Sequence, residues 1–353
     1  MGVDLREQKF GIEIEMTGLT RSRAAAVLAE WFGTRRSYTG GTYDTWTVPD
    51  QEGRKWKLMR DSSIDCQRRE RGDRVPESSE YAVELVSPIC RYSDIPVIQE
   101  AVRRLRGAGA LSNPSCAVHI HINAAPFSAP KLRNLVHIVA AKEDMIYRAL
   151  QVDWRRAAHY CKKMDRRFLE ELDRQRPESL EEFKRIWYGG EDHSRKHYDP
   201  SRYHCLNLHS VFQKGTIEFR AFNGSLHAGK IKAYIQFCLA VTAQAYNQRY
   251  ARPEPTVSEN EKYTFRTWLL RMGLIGEEFK TARLHLLRHL EGDIAWKDPA
   301  QAQRQKERQQ RRRALEAQWD RLEAGRAPPE PEEQAHHQNA PEEPSSSGFT
   351  MSM

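Results

Sequence analysis

Four short segments of this chain alternate between apolar and charged residues, and this alternation constrains the fold more than any other feature. The segments are FGIEIEM at 10–16, YAVELVSP at 81–88, VHIHI at 118–122 and TIEFRA at 216–221. Successive side chains of a β-strand point to opposite faces, so each segment predicts a strand with one apolar and one polar face. The polar faces carry Glu13, Glu15, Glu84, His119, His121, Glu218 and Arg220.

The residue types on these polar faces point to bound cations. Any half-buried antiparallel strand has a polar side, but four carboxylates on one surface repel one another unless cations lie among them. Carboxylates combined with imidazoles suit Mg²⁺ or Mn²⁺, which keep coordination positions for water and phosphate oxygens. Arg220 follows Glu218 on the same face and can hold a phosphoryl group with two donors. Chemistry alone therefore predicts a divalent-metal phosphoryl-transfer site on an open sheet.

Other common site classes find no support in the sequence. No GxxxxGK(S/T) motif is present, which excludes a P-loop, and no GxGxxG motif follows a strand, which argues against a Rossmann domain. The six cysteines are widely spaced without a CxxC pair, so we expect neither a disulfide scaffold nor a zinc knuckle. Reduced thiols are typical of a cytosolic protein, and we expect a cytoplasmic location.

Composition indicates a globular chain. Hydrophobic residues make up 39% of the 353 residues, with 8 Trp, 13 Tyr and 12 Phe, which excludes a wholly disordered protein. The N-terminus has no apolar h-region, and no uncharged apolar stretch reaches the roughly 20 residues of a membrane span. We therefore expect neither export nor membrane insertion.

The chain changes character after residue 300. Residues 301–326 carry eight Lys and Arg against four Asp and Glu, and Leu315, Trp319 and Leu322 share one stripe of a predicted helix over 303–323. A solvated helix is the simpler interpretation, and contact with nucleic acid through Arg311, Arg312 and Arg313 is the alternative. Residues 327–353 have five Pro, five Glu and no Lys or Arg, so we expect them to be disordered.

In their order along the chain, the motifs resemble the amidoligase family, which belongs with the glutamine-synthetase-like carboxylate–amine ligases. They are FGIEIE at 10–15, Trp56 with DSSI at 61–64, ELVSP at 84–88, CAVHIH at 116–121, Arg156 with Tyr160 and Cys161, Arg202 with Tyr203, LNL at 206–208, and GTIEFRAFNGSL at 215–226. The resemblance covers about residues 9 to 246, and several motifs in the same order make it specific.

The resemblance implies an α+β fold with a glutamine-synthetase-like curved antiparallel sheet, flanking helices, a helical C-terminal extension and a disordered tail. The expected organisation is a catalytic domain over 1–250, a helical extension over 251–300, a basic helix over 301–326 and the disordered tail over 327–353. The charged stretch 65–80 is predicted as an insertion in a hairpin. This stretch and the loop 189–200 are both candidates to shape the substrate side.

The resemblance also implies that the concave face of the sheet binds ATP and Mg²⁺ or Mn²⁺. One metal is expected on Glu13, His119 and Glu218. A second metal is expected on Glu15 and Glu84. These are residues that the alternation places on one face.

The remaining polar residues receive roles from the same resemblance. His121 is expected near the nucleotide or the acyl phosphate, and Arg220 on the transferred phosphoryl group. Candidates for holding the substrates are Arg156, Tyr160, Arg202 and Asn207. The implied reaction is ATP-dependent ligation of a carboxylate to an amine through an acyl phosphate, with a peptide or protein among the substrates.

Two alternatives to a ligase stay open. One is an ATP-dependent phosphotransferase on the same scaffold, and the other is a non-catalytic nucleic-acid-binding protein. The acidic sheet face argues against the second, because without metal it would repel phosphates. A membrane partner is not expected.

Overall fold

The computed structural model describes residues 2–324, and its centre is an antiparallel sheet of eight strands. The strands are β1 (Phe10–Met16), β2 (Ser37–Gly40), β3 (Thr45–Pro49), β4 (Lys55–Met59), β5 (Gln67–Glu70), β6 (Asp73–Pro76), β7 (Val83–Val86), β8 (Ala117–Asn123), β9 (Leu206–Asn207) and β10 (Thr216–Asn223). The order in the sheet is β2-β3-β4-β7-β1-β8-β10-β9, while β5 and β6 pair as a separate ribbon. Segments far apart in the chain therefore become neighbours at the centre of the sheet.

Helices flank this sheet. They are α1 (Arg21–Phe32), α2 (Ile95–Gly107), α3 (Ala129–Leu150), α4 (Trp154–His159), α5 (Arg166–Gln175), α6 (Leu180–Trp187), α7 (His209–Lys214), α8 (Ala228–Asn247), α9 (Glu261–Arg271), α10 (Lys280–Leu287) and α11 (Pro299–Ala324). Helix α1 packs on β3 and β4, α8 packs on β8, and α3 packs on both β10 and α8. The predicted mixed fold with a large antiparallel sheet and flanking helices is confirmed, while its closer likeness to glutamine synthetase stays a prediction.

The apolar face of the central strands forms the floor of the main core. Ile14 of β1 and Ile120 of β8 are fully buried there. Helix α8 covers this face and is itself apolar nearly all round, with Ile235 and Leu239 completely buried. A helix with apolar residues on every side needs neighbours on every side, and α8 contacts α2, α3 and α10 as well as the sheet.

Local sequence signals set the ends of α1. The Thr20 side chain accepts a hydrogen bond from the Arg23 backbone N–H, which caps the first turn. Gly33 ends the helix with a φ of 68°, a left-handed conformation that favours glycine. The helix therefore ends at Gly33, and the chain can turn there into β2.

The C-terminal helices divide between two compact units. The first unit extends to Pro299 and contains α9 and α10, and α10 packs on α8. The second unit begins at Ala300 and contains most of α11, where the sequence predicts a basic helix. The tail over 327–353, predicted to be disordered, lies outside the described residues. Within the described part of the chain, no helix is both long enough and apolar enough to cross a membrane.

Candidate active site

The strand order brings the predicted polar residues onto one face of β7, β1, β8 and β10. Glu13 of β1 lies directly opposite His119 of β8 in the antiparallel register. His121, two residues further along β8, lies opposite Glu218 of β10. On the other side of β1, Glu15 lies opposite Glu84 of β7. All seven residues predicted from the alternation, with Arg220 as the last, therefore gather at the centre of the sheet.

The first group is built around the Glu13 carboxylate. Its Oε2 lies 3.2 Å from His119 Nδ1, and its Oε1 lies 3.2 Å from His121 Nε2. Glu218 Oε1 lies 3.8 Å from His119 Nδ1, and the Glu218 side chain is 2% exposed. The two imidazoles are also buried. Two carboxylates and two imidazoles thus share a small volume from which solvent is largely excluded.

One imidazole of this group is oriented by its far nitrogen. His121 Nδ1 lies 3.0 Å from Thr216 Oγ1, and that hydroxyl is 2.7 Å from Ser210 Oγ. His121 Nε2 is consequently turned toward Glu13 and Glu218, where it is buried and lies 3.2 Å from Glu13 Oε1. An imidazole held through one nitrogen, with the other facing carboxylates, is the arrangement found in metal-binding histidines.

The charges of these groups shift the pKa values of the carboxylates and imidazoles in different directions. Burial alone would raise the pKa of Glu13, but the neighbouring imidazoles and Lys214 hold that pKa well below its usual range. Burial, with Arg220 nearby, lowers the pKa of His119 to about 4. Burial also acts on His121, but the Glu13 and Glu218 carboxylates outweigh it and raise the pKa of His121. Of the two imidazoles, His121 is therefore the one that the carboxylates favour in its charged form.

A second group consists of carboxylates alone. Glu15, Glu84 and Asp61 each place one carboxylate oxygen within 4.8 Å of the others. Burial, together with the Asp61 charge, raises the pKa of Glu15 to about 8. Burial and the charges of Glu13, Glu15 and Asp61 raise the pKa of Glu84 well above its usual range. When no cation is present, Glu15 and Glu84 therefore take up protons at a higher pH than exposed carboxylates do, which relieves the repulsion between them.

The carboxylates and imidazoles form three overlapping groups that could hold a cation. They are Glu13 with His121 and Glu218, Glu13 with Glu84 and His119, and Glu15 with Asp61 and Glu84. The sequence predicts Glu218 with His119 and assigns His121 to the nucleotide, so the grouping by distance differs from the predicted one. The predicted pair of Glu15 and Glu84 lies together in one of these groups, with Asp61 as a third member. In the sequence, only the DSSI motif marks Asp61. The metal-binding role of each residue stays a prediction.

Arg220 lies within an irregular part of β10. The pairing of β10 with β8 shifts register between Phe219 and Phe222, and such bulges re-aim side chains. The Arg220 Nη1 is 2.5 Å from Glu218 Oε1, and its Nε donates to the Tyr160 carbonyl at 3.3 Å. Among the described residues, Nη2 has no hydrogen-bond partner. The guanidinium is therefore held on two sides with one nitrogen left for a ligand.

Two predicted substrate-binding residues, Arg156 and Asn207, form hydrogen bonds with other groups of the protein. The Arg156 guanidinium is buried and donates to the carbonyls of Cys116, Phe222 and Arg220 at 3.3, 2.9 and 2.7 Å. It therefore ties the start of β8 to the end of β10. Asn207 Nδ2 donates to Glu218 Oε2 at 2.6 Å. These contacts position other groups of the site.

The other two predicted substrate-binding residues, Tyr160 and Arg202, line a cavity of about 450 Å³ over the acidic face, and Arg156 lines the same cavity. Arg202 lies over the Tyr198 and Tyr203 rings at 5.6 and 5.7 Å. The opposite wall comes from the turn after β2, where Tyr43 Oη is 3.1 Å from His197 Nε2. Loops from both edges of the sheet thus meet above the carboxylates.

The two charged segments singled out in the sequence have different places. Tyr198, in the loop 189–200, lines the cavity as that prediction requires. The stretch 65–80 contains the β5–β6 ribbon and lies between β4 and β7, which pair antiparallel, so it is an insertion in a hairpin as predicted. None of its residues lines this cavity. Asp61, Tyr43 and Tyr198 were missed as site residues, because they lie in loops without periodicity. Only the motif around Asp61 offered a signal.

Comparisons with known proteins give one family and one weak structural likeness. The family model described as "Putative amidoligase enzyme" matches residues 6–242. No curated protein matches the chain. One similar solved structure is a bifunctional glutathione synthetase from Pasteurella multocida, with 14% identity, a TM-score of 0.31, and coverage of 81% of this chain and 47% of the other. The chain thus spans about half the length of that synthetase, and so low a TM-score carries no argument.

Proposed function

We propose that this chain, which belongs to the amidoligase family, is an ATP-dependent carboxylate–amine ligase that forms an amide through an acyl phosphate. The observation that carries the proposal is the meeting of Glu13, Glu15, Glu84 and Glu218 with two imidazoles and Arg220 on one sheet face. Such a face suits the triphosphate of ATP only when cations lie between the two sets of negative charge.

The residues present fit divalent cations. The donors are carboxylate oxygens and imidazole nitrogens, a set suited to Mg²⁺ or Mn²⁺. The buried His121 Nε2 faces the Glu13 carboxylate at 3.2 Å while Nδ1 is held by Thr216, and this orientation supports a ligand role. Glu13, His121 and Glu218 would hold one cation, and Glu15, Asp61 and Glu84 another. When bound, these ions would neutralise charge on the triphosphate and orient its oxygens.

In the proposed reaction, an oxygen of the substrate carboxylate attacks the γ-phosphorus of ATP. The bond from that phosphorus to the β,γ-bridging oxygen breaks, and ADP leaves. Arg220 donates from Nη2 to the transferring phosphoryl group, while its bond to Glu218 keeps the guanidinium in place. A fixed donor aimed at developing charge needs no reorganisation during the step.

The second step forms the amide. The amine nitrogen attacks the acyl carbon, the bond from that carbon to the phosphoryl oxygen breaks, and inorganic phosphate leaves. The proton of the amine passes to a base. The tyrosines and Arg202 in the cavity walls cover the acidic face, and we assign them the exclusion of water, which would otherwise hydrolyse the acyl phosphate.

Hydroxylamine trapping tests this function without knowledge of the natural amine. The purified protein is incubated with ATP, Mg²⁺, hydroxylamine and pools of carboxylic acids and peptides, and hydroxamates are detected by mass spectrometry. We expect ADP and hydroxamate to form in equal amounts. Glu218→Gln should abolish both products, whereas Glu100→Gln, a change on α2 at a half-buried side chain outside the site, should leave them unchanged.

The same assay separates a ligase from a phosphotransferase on this scaffold. A phosphotransferase would consume ATP and leave the phosphoryl group on an acceptor, with no free phosphate and no hydroxamate. A carboxylate labelled with ¹⁸O gives a second check, because an acyl-phosphate route transfers one labelled oxygen to inorganic phosphate. Phosphorylated product without this transfer would replace the ligase proposal.

A further inference from the structure

A second cavity, of about 550 Å³, lies outside the candidate active site. Its walls come from the β5–β6 ribbon, the end of α2 and the segments before β8 and α8. Its charged side chains are Arg69, Arg74 and Arg106, with His227 beside them, and no carboxylate is among the described residues that line it. We call this the arginine cavity.

Within residues 2–324, the three arginines of this cavity have no carboxylate partner. Among the described residues, no carboxylate lies within ion-pair distance of Arg69, Arg74 or Arg106, although most other arginines of β5 and α2 are paired. The start of α8, a helix of 20 residues, also faces this region through its capping residue His227. A helix N-terminus adds partial positive charge, whereas the C-terminus of α2 adds partial negative charge. The positive sign of the cavity therefore comes from its three full guanidinium charges.

The ribbon places two of these charges directly against each other. Arg69 of β5 and Arg74 of β6 are cross-strand partners in the antiparallel register, and both line the cavity. Like charges opposite one another destabilise a β-ribbon. An anion between the two guanidinium groups would turn this repulsion into attraction, because each can grip a carboxylate with two parallel hydrogen bonds.

We propose that the arginine cavity is a docking site for an acidic peptide segment of a partner protein. Its volume suits a few side chains. Its lining consists of arginine, glycine, serine, histidine, leucine and alanine, and the described lining residues include no Phe, Tyr or Trp on which single-stranded nucleic acids stack their bases. Three guanidinium groups around one concavity match a run of Asp or Glu in an extended chain.

The place of the cavity next to the acidic sheet face gives the docking a use. Ser112 lines the arginine cavity, and Ser115 lines the candidate active site. Three residues span at most about 11 Å, so one extended peptide can reach both places. This use, although not the docking itself, rests on the proposed ligase function, and it makes the partner a substrate held beside the reacting group.

Fluorescence anisotropy with a labelled hexaglutamate peptide tests the docking on the full-length protein without ATP. Replacing Arg69, Arg74 and Arg106 together by Ala should raise the Kd at least tenfold at low salt. The matched control is Arg71→Asn with Arg103→Ala and Arg104→Ala, which removes three charges from the same elements outside the cavity. We expect this control to change the Kd by less than threefold.

Several outcomes would overturn the proposal. One is the absence of measurable peptide binding to the wild-type protein, and another is an equal loss in both triple variants, which would indicate only general positive charge. A thymidine hexanucleotide gives a third arm: tighter binding than the peptide, lost in the cavity variant, would assign the cavity to nucleic acid. Because no arm requires turnover, a failed docking experiment leaves the ligase proposal standing, and a failed hydroxamate assay leaves the docking standing.

Discussion

Like charges gather at two places in this molecule, and the protein holds them differently. On the sheet face, Glu15 and Glu218 are at most 3% exposed and lie among other carboxylates. In the arginine cavity, Arg69, Arg74 and Arg106 are exposed. Water and salt screen the arginines, whereas the carboxylates have little solvent around them. Repulsion between like charges is therefore strong on the acidic sheet face and weak in the arginine cavity.

The comparison shows how burial decides what a charge cluster can do. Buried carboxylates must take up protons, pair with cations or bind a metal, so their state changes with pH and metal concentration. Exposed arginines keep their charge and answer mainly to salt. The acidic face is thereby suited to chemistry, and the arginine cavity to reversible docking.

The largest effect is expected at Arg220, the cation buried within the acidic face. We expect Arg220→Lys to lower turnover more than a hundredfold, because a single ammonium cannot bind Glu218 and the Tyr160 carbonyl and also donate to the phosphoryl group. Loss of such a donor costs roughly 3–4 kcal/mol of transition-state stabilisation, by analogy with an oxyanion donor. The measurement is ATP turnover in the hydroxamate assay beside a thermal melt. Near-normal turnover would mean that Arg220 only neutralises Glu218.

Glu143, a buried carboxyl outside the acidic face, shows how burial changes a pKa without the crowded carboxylates of that face. Glu143 of α3 is 7% exposed and accepts hydrogen bonds from the Met164 N–H and the Cys205 thiol. Burial raises its pKa to about 7 from an ordinary 4.5. The folded state then binds more protons than the unfolded state between these values, so stability falls as pH rises through that window.

Glu143→Gln removes this titration and keeps an acceptor for the Met164 N–H. We expect the variant to gain stability relative to the wild type as pH rises from about 4.5 to 7, by roughly 3 kcal/mol in total. Urea unfolding of both proteins at several pH values measures the difference. A difference that stays constant with pH would show that Glu143 does not carry the cost of burial that its surroundings imply.

Metal binding tests the crowded carboxylates. Without metal, the pKa of Glu15 is about 8 against an ordinary 4.5, so its contribution to stability falls as pH rises between these values. A cation binds only the ionised carboxyl, so metal affinity should rise across the same range. At a Mg²⁺ concentration about a hundred times its Kd, the stabilisation is about 2.7 kcal/mol.

The readout is the difference in melting temperature between Mg²⁺ and EDTA at several pH values. We expect this difference to widen toward pH 8 in the wild type and to shrink strongly in Glu15→Gln. The control Glu100→Gln, outside the acidic face, should behave as the wild type. Equal melting temperatures of the wild type in Mg²⁺ and in EDTA would show that the acidic face does not bind the metal.

Local patterns predicted which face each side chain occupies. The alternation in β1 and β8 has a period of two, and the structure buries Ile14 and Ile120 on one side with Glu15 and His119 on the other. Strand alternation depends on neighbouring residues alone. For this reason the polar set could be identified before the order of the strands was known.

Contacts between distant segments could not be predicted in the same way. Which carboxylate meets which imidazole depends on the register between strands, and β10 shifts its register at Arg220. Asp61 follows the end of β4 in a loop, so no periodicity marks it. The motif assigns Arg156 to the substrate, a role that stays a prediction, and only the structure shows that its guanidinium also binds three backbone carbonyls at the cavity wall. The family resemblance supplied roles, and the structure supplied partners.

The smallest effect is expected in the arginine cavity, at the cross-strand pair of Arg69 and Arg74. Arg74→Glu places opposite charges across the ribbon and should stabilise the protein by about 0.2–1 kcal/mol at low salt, with the gain lost at high salt. Asp73→Lys is the matched change in the same ribbon, because Asp73 faces Glu70 in a second like-charge pair. Both variants should gain similar stability, but only Arg74→Glu should weaken binding of the hexaglutamate peptide, since only Arg74 lines the cavity. Urea unfolding and peptide anisotropy on the two variants measure the two quantities separately. If both variants lost peptide binding equally, the loss would come from a disturbed ribbon and not from the missing Arg74 charge. The contrast between a screened docking site and a buried acidic face would then no longer hold.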